Sequence, residues 1–345
     1  MAQTRRSFLK LAGAAGIAAA AGPPSTAVAA PAQERSRGPG RQELPRQMTF
    51  CTLRRERRYS LGVRTSRGIL EVERAARLLD MEAPMTIDEV FQGGDVQALK
   101  ALVHAATSKA KDAQVFVDEA TAPLGPCVTN PEKIICIGFN YRKHAIEVGV
   151  PIPTSPVLFN KFNNALNHHQ GVINLPQRVA FKFDYEVELV IVLGRVAREV
   201  SEADALSYVF GYCTGNDFTA RDLQSKTTQY MIGKTCDGFA PVGPWLVTAD
   251  QIPDPQNLTL ECAVNGQIRQ SSNTNDMIFS CATLVSYISQ HMTLKPGDII
   301  FTGTPQGVIN GYPPDKQMWL KPGDEVVTTI EKLGQLRFTL APQRG

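Results

Sequence analysis

No apolar run in this chain reaches the ~18 residues that a membrane-spanning helix requires, so no membrane partner is expected for its body. Closely spaced cysteines are missing as well. The seven, at positions 51, 127, 136, 213, 236, 262 and 281, include no CxxC, and their number is odd. This argues against a zinc site or a disulfide framework and for buried thiols, several of them in apolar runs such as KIICIGF. A surplus of one charge is absent too. The 36 basic and 33 acidic residues differ only through Arg5, Arg6 and Lys10, all near the start. Beyond them the balance is even, which leaves no basic field of the kind a nucleic-acid partner requires. The one dense cluster, LRRERRYS from Leu53 to Ser60, is expected at a solvated strand end. No internal repeat is evident.

What is present begins with TRRSFLKLAGAAGIAAAAGPPSTAVAA, which joins a basic start, a short weakly apolar run and a small-residue AxA site at Ala27, Val28 and Ala29. With Arg5 and Arg6 ahead of Ser7, Phe8, Leu9 and Lys10, residues 1–29 read as a removable twin-arginine signal. The expectation is an exported protein, periplasmic or secreted, that meets the twin-arginine machinery in transit. That route carries folded chains, so reduced thiols and a metal could be installed before export. Residues 30–47 are rich in Pro, Gly and charge and read as a mobile linker.

From Met48 the pattern is structured. RRYSLGVRT and GILEVERA read as strands, while IDEVFQGG and DVQALKALVHAAT read as helical. A small α/β module is expected over 48–125. A larger domain over 126–345 then runs through KIICIGFNY, VLFNKF, FDYEVELVIVLG, VFGYCTGNDFT, WLVTA, LTLECAVNG, DIIFTG, DEVVTTIEK and LRFTL as strands. Helices are few: RKHAIEVG, ended by Gly149, then DALSYVFG and CATLVSYISQHM. The fold class expected is α+β and β-rich, rather than a doubly wound alternation of strands and long helices.

Within FDYEVELVIVLG, Asp184, Glu186 and Glu188 recur at every second position, so a continuous strand would aim all three at one face. Glu186 and Glu188 share that face with Val190 and Val192. The acids therefore stand where the strand enters the core, and an unpaired carboxylate there costs several kcal/mol. Oxygen ligands on a rigid strand suit a hard cation, Mg²⁺, Mn²⁺ or Ca²⁺, rather than zinc. Asp217 in GNDFTARD could supply a third oxygen. On spacing alone, a solvated edge strand paired with lysines such as Lys182 is an equal alternative. Asp184, farther from the apolar end, is expected to be solvated or to support the ligands from outside.

KIICIGFNYRKHAIEVG, DYEVELVIVLG, GNDFTARDLQ, GKTCDGFAPVGPW, LECAVNGQIRQ, DMIFSCATLVSYISQHMTLKPGDIIFTGTPQGV and KPGDEVVTTIEKLGQLR occur in an order that resembles the fumarylacetoacetate hydrolase family from about residue 130 to 340. The resemblance implies a mixed β-sandwich roll with a small N-terminal module, commonly a homodimer. It implies Mg²⁺ or Mn²⁺ on Glu186, Glu188 and Asp217. A catalytic dyad of His144 and Glu147 follows from it, with Lys234 assisting. Arg221, Gln224, Lys161 and Thr304 match substrate-side positions. The helical spacing i, i+3 would let Glu147 orient His144 as a general base, although an isolated HxxE is more often an exposed helix pair.

The activity implied is metal-dependent hydrolysis of a carbon–carbon bond in a 1,3-diketo acid or acylpyruvate. Decarboxylation, tautomerisation or lyase chemistry on a related keto acid is the alternative at the same site. A binding protein that captures a dicarboxylate without turnover is a third reading. Two departures stand out: adjacent His168 and His169 in NNALNHHQGVINLP, expected in a surface loop, and the segment SKTTQYMIG, which bears on substrate specificity.

Overall fold

The computed structural model describes residues 43–56, 58–109 and 113–344. The expected signal and most of the linker lie outside these residues. In chain order the first strands are β1 (Thr49–Arg54), β2 (Tyr59–Thr65), β3 (Gly68–Glu71), β4 (Phe116–Val117), β5 (Ile134–Gly138) and β6 (Val157–Lys161). There follow β7 (Leu166–Asn167), β8 (Gly171–Asn174), β9 (Phe183–Asp184), β10 (Val187–Leu193), β11 (Val209–Asn216), β12 (Thr219–Ala220), β13 (Ala240–Pro241) and β14 (Leu246–Thr248). The last are β15 (Thr259–Val264), β16 (Gln267–Asn273), β17 (Ile299–Phe301), β18 (Glu325–Ile330) and β19 (Gly334–Ala341). The helices are α1 (Val72–Leu79), α2 (Ile87–Phe91), α3 (Val96–Lys109), α4 (Arg142–Glu147), α5 (Glu202–Ala205), α6 (Arg221–Gln224), α7 (Met231–Lys234) and α8 (Cys281–His291). None of them is long and apolar enough to cross a membrane.

The architecture is α+β and β-rich. Ten strands make one sheet in the order β4-β3-β2-β1-β14-β11-β10-β17-β5-β6, and five make a second in the order β16-β15-β18-β19-β8. β1 pairs antiparallel with β14, Phe50 opposite Leu246, so the strands before residue 125 extend the large sheet. The boundary expected there falls between neighbouring stretches of one compact unit.

Strand β10 shows how the two cores arise. All seven of its residues are buried, which is why its sequence is continuously apolar after Glu188. Val187, Leu189, Ile191 and Leu193 join a core that includes Leu260, Val326 and Phe338 of the second sheet. Val190 and Val192, on the opposite face, pack in another core with Leu99 and Leu102 of α3. Glu186 and Glu188 precede the residues of that second set.

Two local readings change. The run GILEVERA is strand only to Glu71 and then becomes α1, whose buried Val72, Ala75 and Ala76 stand at helical spacing. The cysteines are free, and all but Cys236 are buried. In the basic cluster, Arg55 pairs with Glu71 and Arg58 with Glu73 at the β1–β2 turn.

Candidate active site

FDYEVELVIVLG does not run as one strand. The chain breaks at Tyr185 and Glu186, between β9 and β10. Val187 lies opposite Asn216 and Glu188 opposite Gly215 in the antiparallel β10–β11 pair. Glu186 and Asp217 therefore face one another just beyond the end of the ladder. The Asp217 N–H donates to the Glu186 carbonyl at 2.9 Å, and the Glu186 N–H donates to Asn216 Oδ1 at 3.2 Å. Glycine is required at 215, because a Cβ there would lie 2.5 Å from Val190 Cγ2. The outcome is three carboxylates, Glu186, Glu188 and Asp217, each offering an oxygen within 4.8 Å of the others. None is more than 4% exposed.

Such crowding needs positive charge. Lys234 Nζ donates to Glu186 Oε2 at 2.7 Å and to Asp217 Oδ2 at 2.8 Å. Arg221 Nη2 lies 2.6 Å from Glu186 Oε1. Burial opposes ionisation of Glu186, but Arg221 and Lys234 outweigh it and hold this carboxyl below its usual range. Glu188 goes the other way: burial, then the Asp217 and Glu186 charges, push it well above the usual range. Its protein donor is the Gly303 N–H, 2.7 Å from Oε2. Gly303 has φ +100°, and a Cβ there would meet Asn140 Cβ at 2.7 Å.

Asp184 is not solvated; it is 0% exposed. Because of the break at Tyr185, it leaves the face of Glu186 and pairs in β9 with Thr219 of β12. Its carboxylate accepts from the N–H groups of Tyr185, Ile309 and Asn310 at 2.9, 2.9 and 3.0 Å, and from Arg221 Nε at 2.8 Å. It thus supports the acid cluster from outside, holding the guanidinium that touches Glu186.

The sequence HAIE forms the last turns of α4, with His144 and Ala145 buried and Ile146 exposed. His144 Nδ1 stands 3.2 Å from Glu147 Oε2. The other oxygen, Oε1, accepts from the Gly307 N–H at 2.8 Å. His144 lies near enough to the acids for its charge to lower the Glu186 carboxyl, and Phe139 stacks on its ring at a centroid distance of 6.1 Å.

The remaining predicted residues are engaged with protein partners. Arg221 Nη1 donates to Gln224 Oε1 at 3.1 Å. The Thr304 hydroxyl donates to the Val187 carbonyl and accepts from Gln270 Nε2, at 3.0 and 2.9 Å. Lys161 is buried and donates to three main-chain carbonyls, those of Phe218, Lys234 and Phe239. His168 and His169 form a half-buried turn between β7 and β8. There His168 Nδ1 donates to the His169 carbonyl at 2.8 Å, while its Nε2 accepts from Arg54 at 3.1 Å.

Several residues of the site were not read from the sequence. Asn140 holds the carbonyls of Phe279 and Thr302 at 3.1 and 2.7 Å, fixing the loop that leads into α4. Gln270, 1% exposed, ties Val187 to the Thr304–Pro305 turn. Nothing local in the sequence marked Asn140 or Gln270.

The donor set fits a hard divalent cation. It is all oxygen, buried, and short of positive charge at Glu188, and Asp217 Oδ1 has Lys161 Nζ at 2.5 Å as its one partner among the described residues. The acidic triad and the His144–Glu147 pair together make a candidate metal-binding enzyme site in a β-rich fold. Residues 133–341 match the family model for the fumarylacetoacetate hydrolase C-terminal domain, and the chain belongs to that family. It is 38% identical over 275 residues to the mitochondrial oxaloacetate tautomerase of Xenopus laevis, covering 77% of this chain and 83% of that one. Among solved structures it resembles fumarylacetoacetate hydrolase of Exiguobacterium antarcticum (TM-score 0.68, 30% identity, 86% of this chain and all of that one). It also resembles fumarylpyruvate hydrolase of Pseudomonas aeruginosa, determined with Mn²⁺ and pyruvate (TM-score 0.56, 32% identity, 62% and 91% covered).

Proposed function

We propose that this chain is a divalent-metal-dependent enzyme that moves a proton at the carbon between two carbonyl groups of a 2-oxo acid, tautomerising an oxaloacetate-like diacid. The observation that carries the reading is His144, buried within electrostatic reach of Glu186 in the carboxylate triad and with its Nδ1 turned to Glu147. A hard cation held by Glu186, Glu188 and Asp217 would supply Lewis-acid polarisation of the substrate oxygens. His144 Nε2, which has no hydrogen-bond partner among the described residues, takes the proton from carbon and delivers it to the enolate oxygen, and carries it the opposite way when the enol is converted to the keto form. Glu147 fixes the tautomer and stabilises the imidazolium that forms, and the Gly307 N–H holds Glu147 in place.

Charge supports an acid as substrate. The buried acids Asp184, Glu186, Glu188 and Asp217 outnumber the buried cations Lys161, Arg221 and Lys234 by one, and a dication reverses that balance. The likeness to an oxaloacetate tautomerase over most of both chains supports the choice of reaction. Hydrolytic carbon–carbon cleavage at the same site is the second reading, favoured by the likeness to fumarylpyruvate hydrolase. In that case His144 deprotonates water instead of carbon.

Proton NMR in D₂O with Mg²⁺ tests both. Faster loss of the oxaloacetate enol with deuterium entering at C3 is the expected result, and pyruvate released from an acylpyruvate would indicate hydrolysis. Turnover that persists in metal-free protein would overturn the proposal. The proposal includes export, read from residues 1–29; a periplasmic form that begins near residue 30 by mass spectrometry is its expected signature.

A further inference from the structure

Lys161, at the end of β6, is an unusual lysine. Its side chain is 0% exposed. Its ammonium sits where three separate segments meet, 3.1 Å from the Phe218 carbonyl, 2.5 Å from that of Lys234 and 2.9 Å from that of Phe239. An ammonium has three N–H groups, and here they are shared among these three carbonyls and one carboxylate: the same Nζ lies 2.5 Å from Asp217 Oδ1. Lys161 is the partner of that oxygen, which has no other among the described residues. The other oxygen of Asp217, Oδ2, differs: it is a hydrogen-bond acceptor for Lys234.

We infer that Lys161 is a positioning residue for the cation site: a tethered, buried positive charge that pairs with Asp217 Oδ1 and keeps the carboxylate correctly turned, while leaving the remaining lone pair of that oxygen to a metal. It contributes no donor to substrate. Its second effect is on Lys234, whose carbonyl it grips at the end of α7, so that the Lys234 ammonium reaches both Glu186 and Asp217. One side chain thus fixes the main chain next to Asp217, at Phe218, and the helix end that carries Lys234. Buried charges of this kind require full satisfaction, and Lys161 has it. The inference rests on the reading of Asp217 as a metal ligand.

The test is the affinity of the full chain for Mn²⁺, by titration calorimetry or by the EPR signal of free Mn²⁺, in wild type, Lys161→Met and Lys161→Arg. Lys161→Met keeps the length and removes the charge; it should bind Mn²⁺ about 10–100-fold more weakly, as loss of a group supporting a ligand does, while still unfolding cooperatively. Lys161→Arg keeps the charge but cannot match the cage of three carbonyls, and should fall between. A role confined to folding would lower the unfolding midpoint and leave the affinity of folded protein unchanged. Binding by Lys161→Met within about threefold of wild type would therefore overturn the inference. If Lys161→Met does not fold, Lys161→Arg decides by the same threefold limit, and if neither folds the residue is structural and the inference fails. Wild type that binds no Mn²⁺ would instead remove the proposed function on which it rests.

Discussion

Glu147 and Gly307, 160 positions apart along the chain, are joined by one hydrogen bond, the Gly307 N–H donating to Glu147 Oε1 at 2.8 Å. The other carboxylate oxygen faces His144. Glu147 therefore links the proposed base to the loop of residues 305–311, and Gly311 packs directly on it: a Cβ at 311 would lie 2.4 Å from the Glu147 carboxyl carbon. Gly311→Ala should displace the carboxylate. We expect kcat to fall by roughly 10–100-fold, since a shift of about 1 Å is enough for that. Mn²⁺ affinity should stay within about threefold. Steady-state kinetics alongside calorimetry checks both halves.

His144→Gln removes the base and keeps the helix. Turnover of an oxaloacetate-like acid should fall by about 10²–10⁴, the range for general acid–base groups, while Mn²⁺ still binds. Loss of metal binding in this variant would mean that His144 acts in holding the cation.

Glu188 is the acid least compensated by the protein, with burial and two neighbouring carboxylates raising its proton affinity. Mn²⁺ at roughly 100 times its Kd should stabilise the wild type by about 2.7 kcal/mol, measured by urea unfolding. Glu188→Gln removes one of three crowded charges. Its metal-free form should be at least as stable as metal-free wild type, and Mn²⁺ should add little. A less stable metal-free variant would show that the Gly303 hydrogen bond outweighs the repulsion.

Asp184 and Arg221 form a buried ion pair at 2.8 Å. Asp184→Ala leaves the guanidinium with one carboxylate and strips the Ile309 and Asn310 N–H groups of their acceptor. Breaking such a pair from one side should cost about 3–5 kcal/mol in urea unfolding. A loss below 1 kcal/mol would show that the 307–310 loop is held by other contacts.

The site was partly legible along the chain. Alternation in EVELVIV marked Glu186 and Glu188 as acids entering a core, and the spacing of His144 and Glu147 marked a helical neighbour pair. For Asp184 the supporting role holds and solvation does not, and its face changes for a definite reason: a period of two holds only while the strand continues, and the backbone turns at Tyr185. The strand GILE running into α1 is a similar case, in which the change of period falls inside GILEVERA with no Gly or Pro at the junction to mark it. Lys161 reads as a match to a substrate-side position until its three carbonyl partners, from segments beyond residue 217, are seen around it.

The sequence by itself determined the features that backbone geometry repeats locally: the β-rich class, the alternation that sets Glu186 and Glu188 at the start of β10, and the i, i+3 spacing of His144 and Glu147. Only the tertiary structure decided which distant groups meet. The β10–β11 register set Glu186 against Asp217, the loop after β17 brought Gly303 to Glu188 and Gly307 to Glu147, and the convergence of β6, α7 and the Phe218 segment buried Lys161 beside Asp217. The physical reason is range. Periodicity follows from torsion angles a few residues long, whereas these meetings are chosen by how two sheets pack their summed apolar faces.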